Sequence, residues 1–535
     1  MLLRRAHTLR CFSARFNIGF CCLRWKRLYS EKAGSPEKPD VRKQVFERLK
    51  MPMYPSISST KGVTSISRLR SWDNVLSPDA RQYDESYTVC GRIGNLRYAS
   101  SKLVFVDICD GLSKLQLTIS KKLVSNSDNE ALPFSNILKA FRRGDYIQCT
   151  GFIGKTSKGE LSIYATELPV MLSPCLHQMP TNLLNQEKRF QQRYIDFIAN
   201  PDTILTLKRR FQIIECIRNF FRKNEFTEVE TPLLSHHFGG AMARPFITND
   251  AHKQPLSLRC APELWLKQLV IGGMHRIFEL GKNFRNEGLD ATHNPEFTSC
   301  EAYCAFINLG TFIDMTKLLL SEICMNVHGN LTLPHLGVSL HSDSFKTLEF
   351  IPSLENSLNQ SLGVIDNSEG YRKFLLDIFE QRNIKQPKTP TVSHLLDKLL
   401  SHCVLEHLSD GPTFIVHHPE VMSPLAKSET IKYGNTEFRV SKRFELYLGK
   451  SEICNAYEEE NDPMSQKEKF ESQQYDRTEL GDQEAPIPDA DFVRALEYGL
   501  PPTTGWGMGV DRLVMLVTGQ KRINEVLPFG SLRYI

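Results

Sequence analysis

The sequence predicts an α+β chain in two folded parts, a small all-β barrel followed by a larger domain of mixed helices and strands. Three observations carry this prediction. Short strand-like runs separated by turn signals crowd residues 87–171, helical periodicity begins only after residue 183, and 535 residues exceed what one core accommodates. A composition of 41% hydrophobic and 24% charged residues is ordinary for a globular chain. No uncharged apolar run approaches the roughly 20 residues that cross a bilayer, so a membrane-spanning reading is dropped.

In chain order, residues 1–30 come first, with seven basic residues, no acidic one, and hydrophobics spread between the arginines. This is the pattern of an amphipathic mitochondrial transit peptide. The chain's formal charge of +5 is concentrated there and the remainder sums to −2, so any polyanion site must be a local patch. Residues 31–65, rich in proline, serine and charge, read as a linker. Within 66–178, the runs YTVCGRIGNLR, KLVFVDICDG, KLQLTIS, DYIQCTGFIG and ELSIYATELPVM give five short strands. Five strands in about 90 residues suggest a closed barrel of OB type, a fold often used for single-stranded nucleic acid.

The larger domain is expected over 179–535. LLNQEKRFQQRYIDFIANPD reads as a helical hinge into it, and Leu207, Phe211, Ile214, Ile217 and Phe221 then recur at helical spacing. FTEVETPLL reads as a strand stopped by Pro232, and residues 366–408 as a helical insertion. The fourteen cysteines form no C-x-x-C pair, so neither a zinc ribbon nor a disulfide scaffold is indicated; Cys300 and Cys304 are read as small strand residues.

Chemistry concentrates in three segments. IFELGKNFRNEG and EFTSCEAYCAF read as strands joined by the loop LDATHNP. Alternation puts Phe297, Ser299, Glu301 and Tyr303 on one face, with Arg285 in reach, so a flat base could sit at one end and a cation at the other. Such a hairpin alone would more often be a half-buried surface with solvated charges. The second segment shifts the balance: in RFELYLGKSEICNAYEEEND a Gly449-Lys450 turn would pair Tyr447 with Glu452 and make Glu445 a diagonal neighbour of Glu452. Adjacent carboxylates repel unless a cation sits between them, and Mg²⁺ with substrate phosphates is the usual solution. Glu452 and Asn455 can share a face only through a bulge near Cys454. In the third segment, TTGWGMGVDRLVMLVTG, Gly505, Gly507 and Gly509 are read as a tight turn before a buried helix with Arg512 in its first turn.

Taken in order, FTEVETPLL, FRNEGLDATHNPEFTSCEAY and GMGVDRL resemble the three signature motifs of class II aminoacyl-tRNA synthetases. GGAMARPFIT, LRCAPELWLKQLVIGG, HHPEVMSPLAK and SEICNAYEEEND are similar to segments of the lysyl-tRNA synthetases within that class, over about residues 85–535. The basic first segment makes the mitochondrial members, and hence the mitochondrial matrix, the best match. The resemblance implies an N-terminal OB-fold anticodon-binding barrel, then a catalytic domain built on an antiparallel sheet flanked by helices. It implies ATP, L-lysine and tRNA(Lys) as substrates, Mg²⁺ as cofactor, a homodimer formed through the first motif, and no membrane partner.

The resemblance also assigns roles. Arg285 would bridge the α-phosphate and the lysine carboxylate, and with Arg512 forms the catalytic pair. Glu287, His293, Asn294 and Phe297 would hold ATP alongside Glu445, and Glu445 with Glu452 would hold the metal. Lysine would meet Glu263 and the backbone near Gly240 at its α-amino group, Glu301, Tyr303 and Glu459 at its ε-ammonium, and Asn455 at its carboxylate. Arg97, Phe105, Gln116 and Glu160 would contact anticodon bases, although Phe105 also fits a core position. Thr504, Cys260 and Cys454 depart from the usual pattern without removing a polar contact. An aspartyl- or asparaginyl-tRNA synthetase shares the barrel and motifs, but its substrate would not want Glu301 and Glu459. A non-catalytic tRNA-binding homologue would be expected to lack members of the Arg285, Glu445, Glu452 and Arg512 set.

Overall fold

The computed structural model describes residues 39–49, 51–57, 62–124, 134, 138, 140, 141–236, 243–482, 485 and 488–529. The expected transit segment and Gly240 therefore lie outside the described residues. The chain divides into two compact units, Met1–Thr181 and Asn182–Ile535.

The first unit contains helix α1 (Pro39–Arg48) and strands β1 (Arg81–Ser100), β2 (Leu103–Asp110), β3 (Ser113–Ser120), β4 (Tyr146–Lys155), β5 (Leu161–Ala165) and β6 (Val170–Ser173). Pairing runs β1-β2-β3-β5-β4 and closes as β4 returns to β1, with β6 on the outer edge of β4. The last expected strand is thus two, with Pro169 between them. Alternation explains the closure. Val104, Val106 and Ile108 on β2, Leu115, Leu117 and Ile119 on β3, and Leu161 and Ile163 on β5 all point inward at 1% exposure or less.

Helix α1 corrects the expected linker, because it lies inside residues 31–65. Phe46 inserts fully buried into the barrel core, and Arg42 forms a buried ion pair with Asp145. Asp145 also accepts from the backbone N–H groups of Arg142 and Cys175, each at 2.8 Å. One apolar anchor and one buried ion pair order a stretch whose composition reads as a linker.

In the second unit the elements that position the site are α2 (Pro201–Lys223), β7 (Thr227–Glu228), α3 (Glu263–Ile271), β8 (Arg276–Phe284), β9 (Glu296–Ala305), α4 (Leu309–His328), β10 (Lys346–Glu349), α5 (Glu369–Gln381), α6 (Val392–Cys403), β11 (Thr413–Val416), β12 (Arg443–Leu448), β13 (Ser451–Glu458), α7 (Ala490–Leu496), β14 (Thr503–Gly509) and α8 (Val510–Thr518). An eight-stranded sheet runs β10-β11-β12-β13-β14-β9-β8-β7, antiparallel except at its two outermost pairs. Helices α2, α4 and α8 bury their apolar faces against it with Phe278, Cys300, Phe444 and Trp506. Helices α5 and α6, within 366–408, pack Leu375, Phe379, Leu395 and Leu399 into a separate cluster.

Three local expectations change. FTEVETPLL forms only the two-residue strand β7 before Pro232, and its last residue begins a second two-residue strand, Leu234–Ser235. The glycines of TTGWGMG lie inside β14, a central strand, rather than in a tight turn. On α2 the inward stripe is Leu207, Arg210, Ile213, Ile217 and Phe220, while Phe211 is 53% exposed. A buried arginine holds a position that apolar periodicity passes over.

Candidate active site

A cavity of about 400 Å³ opens on one face of the central sheet, lined by Glu263, Arg285, Glu287, His293, Asn294, Phe297, Glu301, Tyr303, Glu452, Asn455 and Arg512. Among the expected catalytic-domain residues within the described regions, only Glu445 and Glu459 lie outside this lining.

Register builds the first wall. Antiparallel pairing sets Asn283 opposite Phe297 and Glu279 opposite Glu301, and β9 then pairs with β14 so that Glu301 faces Gly507 and Tyr303 faces Gly505. Arg285 follows β8, its guanidinium carbon 5.2 Å from the centre of the Phe297 ring, so cation and aromatic face lie together at one end of the cavity. In the loop, Asp290 accepts from the backbone of Thr292 and His293, and its Oδ2 lies 2.7 Å from His293 Nδ1. Although burial opposes it, the Thr292 backbone and the His293 ring hold the Asp290 carboxyl down at about 2. His293 Nε2 lies 2.6 Å from an Arg512 nitrogen. Guanidinium only donates, so Nε2 accepts and Nδ1–H donates to Asp290.

Arg512 stands in the first turn of α8, and Asp511 anchors that turn. Asp511 accepts from Arg210 at 2.5 Å and from the Thr298 backbone at 2.7 Å, fully buried, tying α2, β9 and α8 at one point. Arg512 donates to the Glu452 carbonyl at 3.0 Å.

The carboxylate pair lies on β12 and β13. Gly449 and Lys450 both have positive φ, 55° and 61°, the left-handed pair of a two-residue hairpin turn. Tyr447 pairs with Glu452, and the register shift beyond Leu446↔Cys454 leaves Ile453 as the extra residue, which is the bulge expected near Cys454. Glu445 lies behind the cavity wall: it pairs with Arg443, accepts from the Tyr447 hydroxyl at 2.8 Å and lies 3.3 Å from His418. Against the cost of burial, Arg443 and His418 hold its carboxyl well below the usual range. Glu452 goes the other way, pushed up to about 7 by burial and by Glu445. Glu445, 12% exposed at its side chain, and Glu452, 38% exposed and 3.7 Å from an Arg512 nitrogen, offer a hard divalent cation two carboxylates of the kind it takes as oxygen ligands. Arg443 also donates to the Asn455 side-chain oxygen at 3.0 Å, which leaves the Asn455 NH₂ as the group able to meet a carboxylate.

The innermost part is anionic. Burial, then Glu263, push the Glu301 carboxyl up to about 8. Tyr303 donates to Glu301 at 3.3 Å, and Tyr457 to Glu263 at 2.6 Å. Glu459 lies directly behind Gly505, where a Cβ would meet its Oε1 at 2.0 Å and the Tyr303 ring at 2.7 Å. Lack of a side chain at 505 is what lets Glu459 approach the cavity. Three polar residues escaped the sequence reading: Arg443, His418 and Lys267. The spacings Glu263-x-x-x-Lys267 on a helix and Arg443-x-Glu445 on a strand were the available signals.

On the barrel, Arg97, Phe105 and Gln116 share an outer face. Arg97 pairs across strands with Phe105, and its guanidinium donates to Gln116 at 2.8 Å and to Asp107 at 3.0 Å. Gln116 in turn donates to Ser162 at 2.8 Å. Phe105 is half-buried on the face opposite Val104 and Val106, so it is not a core residue. Glu160 is exposed, two residues before Ser162.

Comparison with known proteins agrees with this architecture. Residues 185–533 match the family model for tRNA synthetases class II (D, K and N), and residues 87–171 match that for the OB-fold nucleic acid binding domain. The chain belongs to the class II tRNA synthetases, with an OB-fold domain ahead of the catalytic one. Within that family it is 56% identical over 508 residues to the mitochondrial lysine–tRNA ligase of Schizosaccharomyces pombe, covering 95% of both chains. It is 34% identical to a lysine–tRNA ligase of Porphyromonas gingivalis, covering 93% of this chain and 86% of the other. The corresponding figures for that of Enterococcus faecalis are 36%, 86% and 90%.

Proposed function

We propose that the chain is a lysine–tRNA ligase that forms lysyl-adenylate from lysine and ATP, then transfers lysine to the 3′ end of tRNA(Lys). The observation that carries this reading is the innermost site, where Glu263, Glu301 and Glu459 converge and burial, then Glu263, hold the Glu301 carboxyl up at about 8. An ε-ammonium brings it a cation. An aspartate or asparagine side chain would bring no cation to Glu301, at a cost of several kcal/mol. The names of the three relatives support the same substrate.

Each residue then acts by position and charge. Lysine's carboxylate is already ionised, so it attacks the α-phosphorus in line and pyrophosphate leaves without a general base. Arg285 bridges that carboxylate and the α-phosphate, where a planar fork suits oxyanions. Phe297 and Arg512 hold the adenine from its two faces, Glu287 and Asn294 flank the nucleotide, and His293 meets the outer phosphates. Asn455 donates to the carboxylate. Glu445 and Glu452 would hold Mg²⁺, which supplies charge neutralisation on the phosphates. Arg97, Phe105, Gln116 and Glu160 read anticodon bases by stacking and edge hydrogen bonds.

The chain acts as a homodimer in the mitochondrial matrix, with residues 1–30 as transit peptide, 31–65 preceding an anticodon domain at 66–178, and a catalytic domain at 179–535. The basic first segment and the Schizosaccharomyces pombe relative support the location. Exposed Phe211 on α2 and exposed Met325 on α4, two helices joined where Gln212 donates to the Asn326 carbonyl at 2.8 Å, support the dimer. Among the described residues no helix is long and apolar enough to cross a membrane.

Amino-acid-dependent ATP–pyrophosphate exchange, run on the full chain with each standard amino acid, tests the reading. Exchange with lysine alone is expected. Exchange driven by aspartate or asparagine, or none from folded protein with Mg²⁺, overturns it.

A further inference from the structure

Lys267 is the one fully buried cation among the carboxylates of the innermost site in the described residues, at 0% exposure. It projects from α3 one turn after Glu263, donates to that carboxylate at 2.6 Å, and pairs on its other side with Glu459. Tyr457 and Phe492 close the remaining sides, with ring centres 5.7 and 5.6 Å from the ammonium. Every donor bond of Lys267 that faces the site goes to groups the proposed reaction uses, and its own head is sealed from the cavity.

We infer that Lys267 is a positioning residue for amino-acid specificity, a resident ammonium that fixes Glu263 and Glu459 so that they present their remaining oxygens to the two ammonium groups of the substrate. The inference rests on the proposed lysine specificity. Charge stoichiometry supports it. Lys267 pairs with two carboxylates of the innermost site, Glu263 and Glu459, so one resident cation stands between two anions before the substrate brings its α- and ε-ammonium. Without Lys267 these two carboxylates would share no cation, and a buried carboxylate in that position keeps a proton instead of offering an oxygen to an ammonium. The titratable groups against it are Glu263 on its own helix and Tyr457 and Glu459 on and after β13, with Glu301 and Tyr303 of β9 in the same site. Raised pKa values for Tyr303 and Tyr457 leave the carboxyls as the only groups there that exchange protons near neutrality.

The test compares the wild type with Lys267→Met and Lys267→Arg, all full chain, by ATP–pyrophosphate exchange. Lys267→Met is expected to raise the lysine KM about tenfold or more, with ATP KM unchanged within about twofold. Lys267→Arg, which keeps the cation, should fall between the two in lysine KM. Lysine and ATP KM rising together in the Met variant would show a merely structural role. If the Met variant does not fold, an Arg variant whose lysine and ATP KM rise together overturns the inference by itself. Absence of lysine-dependent exchange in the wild type would instead sink the underlying functional reading, so the two failures are distinguishable.

Discussion

Glu301 links burial to substrate choice. Its carboxyl stands near 8 in the folded protein against 4.5 for an ordinary glutamate. Between those values the native protein binds the extra proton, so this group lowers folding stability as pH rises from about 4.5 to about 8 and adds no further pH dependence above that. An ammonium placed beside it reverses the preference. Lysine binding at pH 7 is therefore expected to release a proton and to tighten as pH rises toward 8, which calorimetry in two buffers measures. Glu301→Gln should abolish that release and raise the lysine KM by about ten- to a hundredfold while ATP KM moves by less than about twofold. Equal effects on both substrates would remove Glu301 from the lysine site. At this scale the sequence was informative about groups that face the cavity, because strand alternation places Phe297, Glu301 and Tyr303 on one face. It was silent on Lys267, Arg443 and His418, whose role depends on contacts across strands and helices that sequence spacing does not encode.

The elements show where pattern reading succeeds and where it fails. The β12–β13 hairpin was legible to its bulge, since two positive-φ positions at Gly449 and Lys450 leave few registers open. The glycines of β14 were misread as a turn because glycine marks both turns and close approach, and only the neighbouring strands show which. At 505 the reason is steric, so Gly505→Ala should drive its methyl into Glu459 and Tyr303. The expected outcome is loss of lysine-dependent exchange with ATP binding retained, read by nucleotide fluorescence and by exchange on the same preparation. On α2, periodicity selected Phe211 over Arg210 because a buried arginine makes sense only with its partner. Arg210 and Asp511 are both almost fully buried, and Asp511→Ala strands the guanidinium against the sheet. Urea denaturation should show a loss of about 3 to 5 kcal/mol, the usual cost of breaking a buried ion pair from one side. A loss under about 1 kcal/mol would mean that the arginine finds solvent or another acceptor.

At the scale of the whole molecule the chain holds two compact units with separate cores, one built on Val104, Leu117 and Ile163 and the other on Phe278, Phe444 and Trp506. The division was legible from the change of period, because strand runs give way to helical spacing near residue 183. The order of α1 was not, since one phenylalanine and one arginine anchor it within a polar stretch. Separate cores allow the chemistry and the RNA reading to be separated by experiment. Every side chain assigned to ATP, metal and lysine within the described residues belongs to the second unit, and every one assigned to anticodon bases belongs to the first. A protein containing residues 182–535 alone should therefore keep lysine-dependent ATP–pyrophosphate exchange to within about tenfold of the full chain. Its aminoacylation of tRNA(Lys) should fall by about a hundredfold or more, because stacking contributes roughly 1–3 kcal/mol per base and several bases are lost together. The point substitution Phe105→Ala in the full chain should reproduce part of the second loss and none of the first. If the truncated protein folds but loses exchange and charging equally, the first unit supports the active site as well as the RNA, and the division of labour between the two cores is wrong.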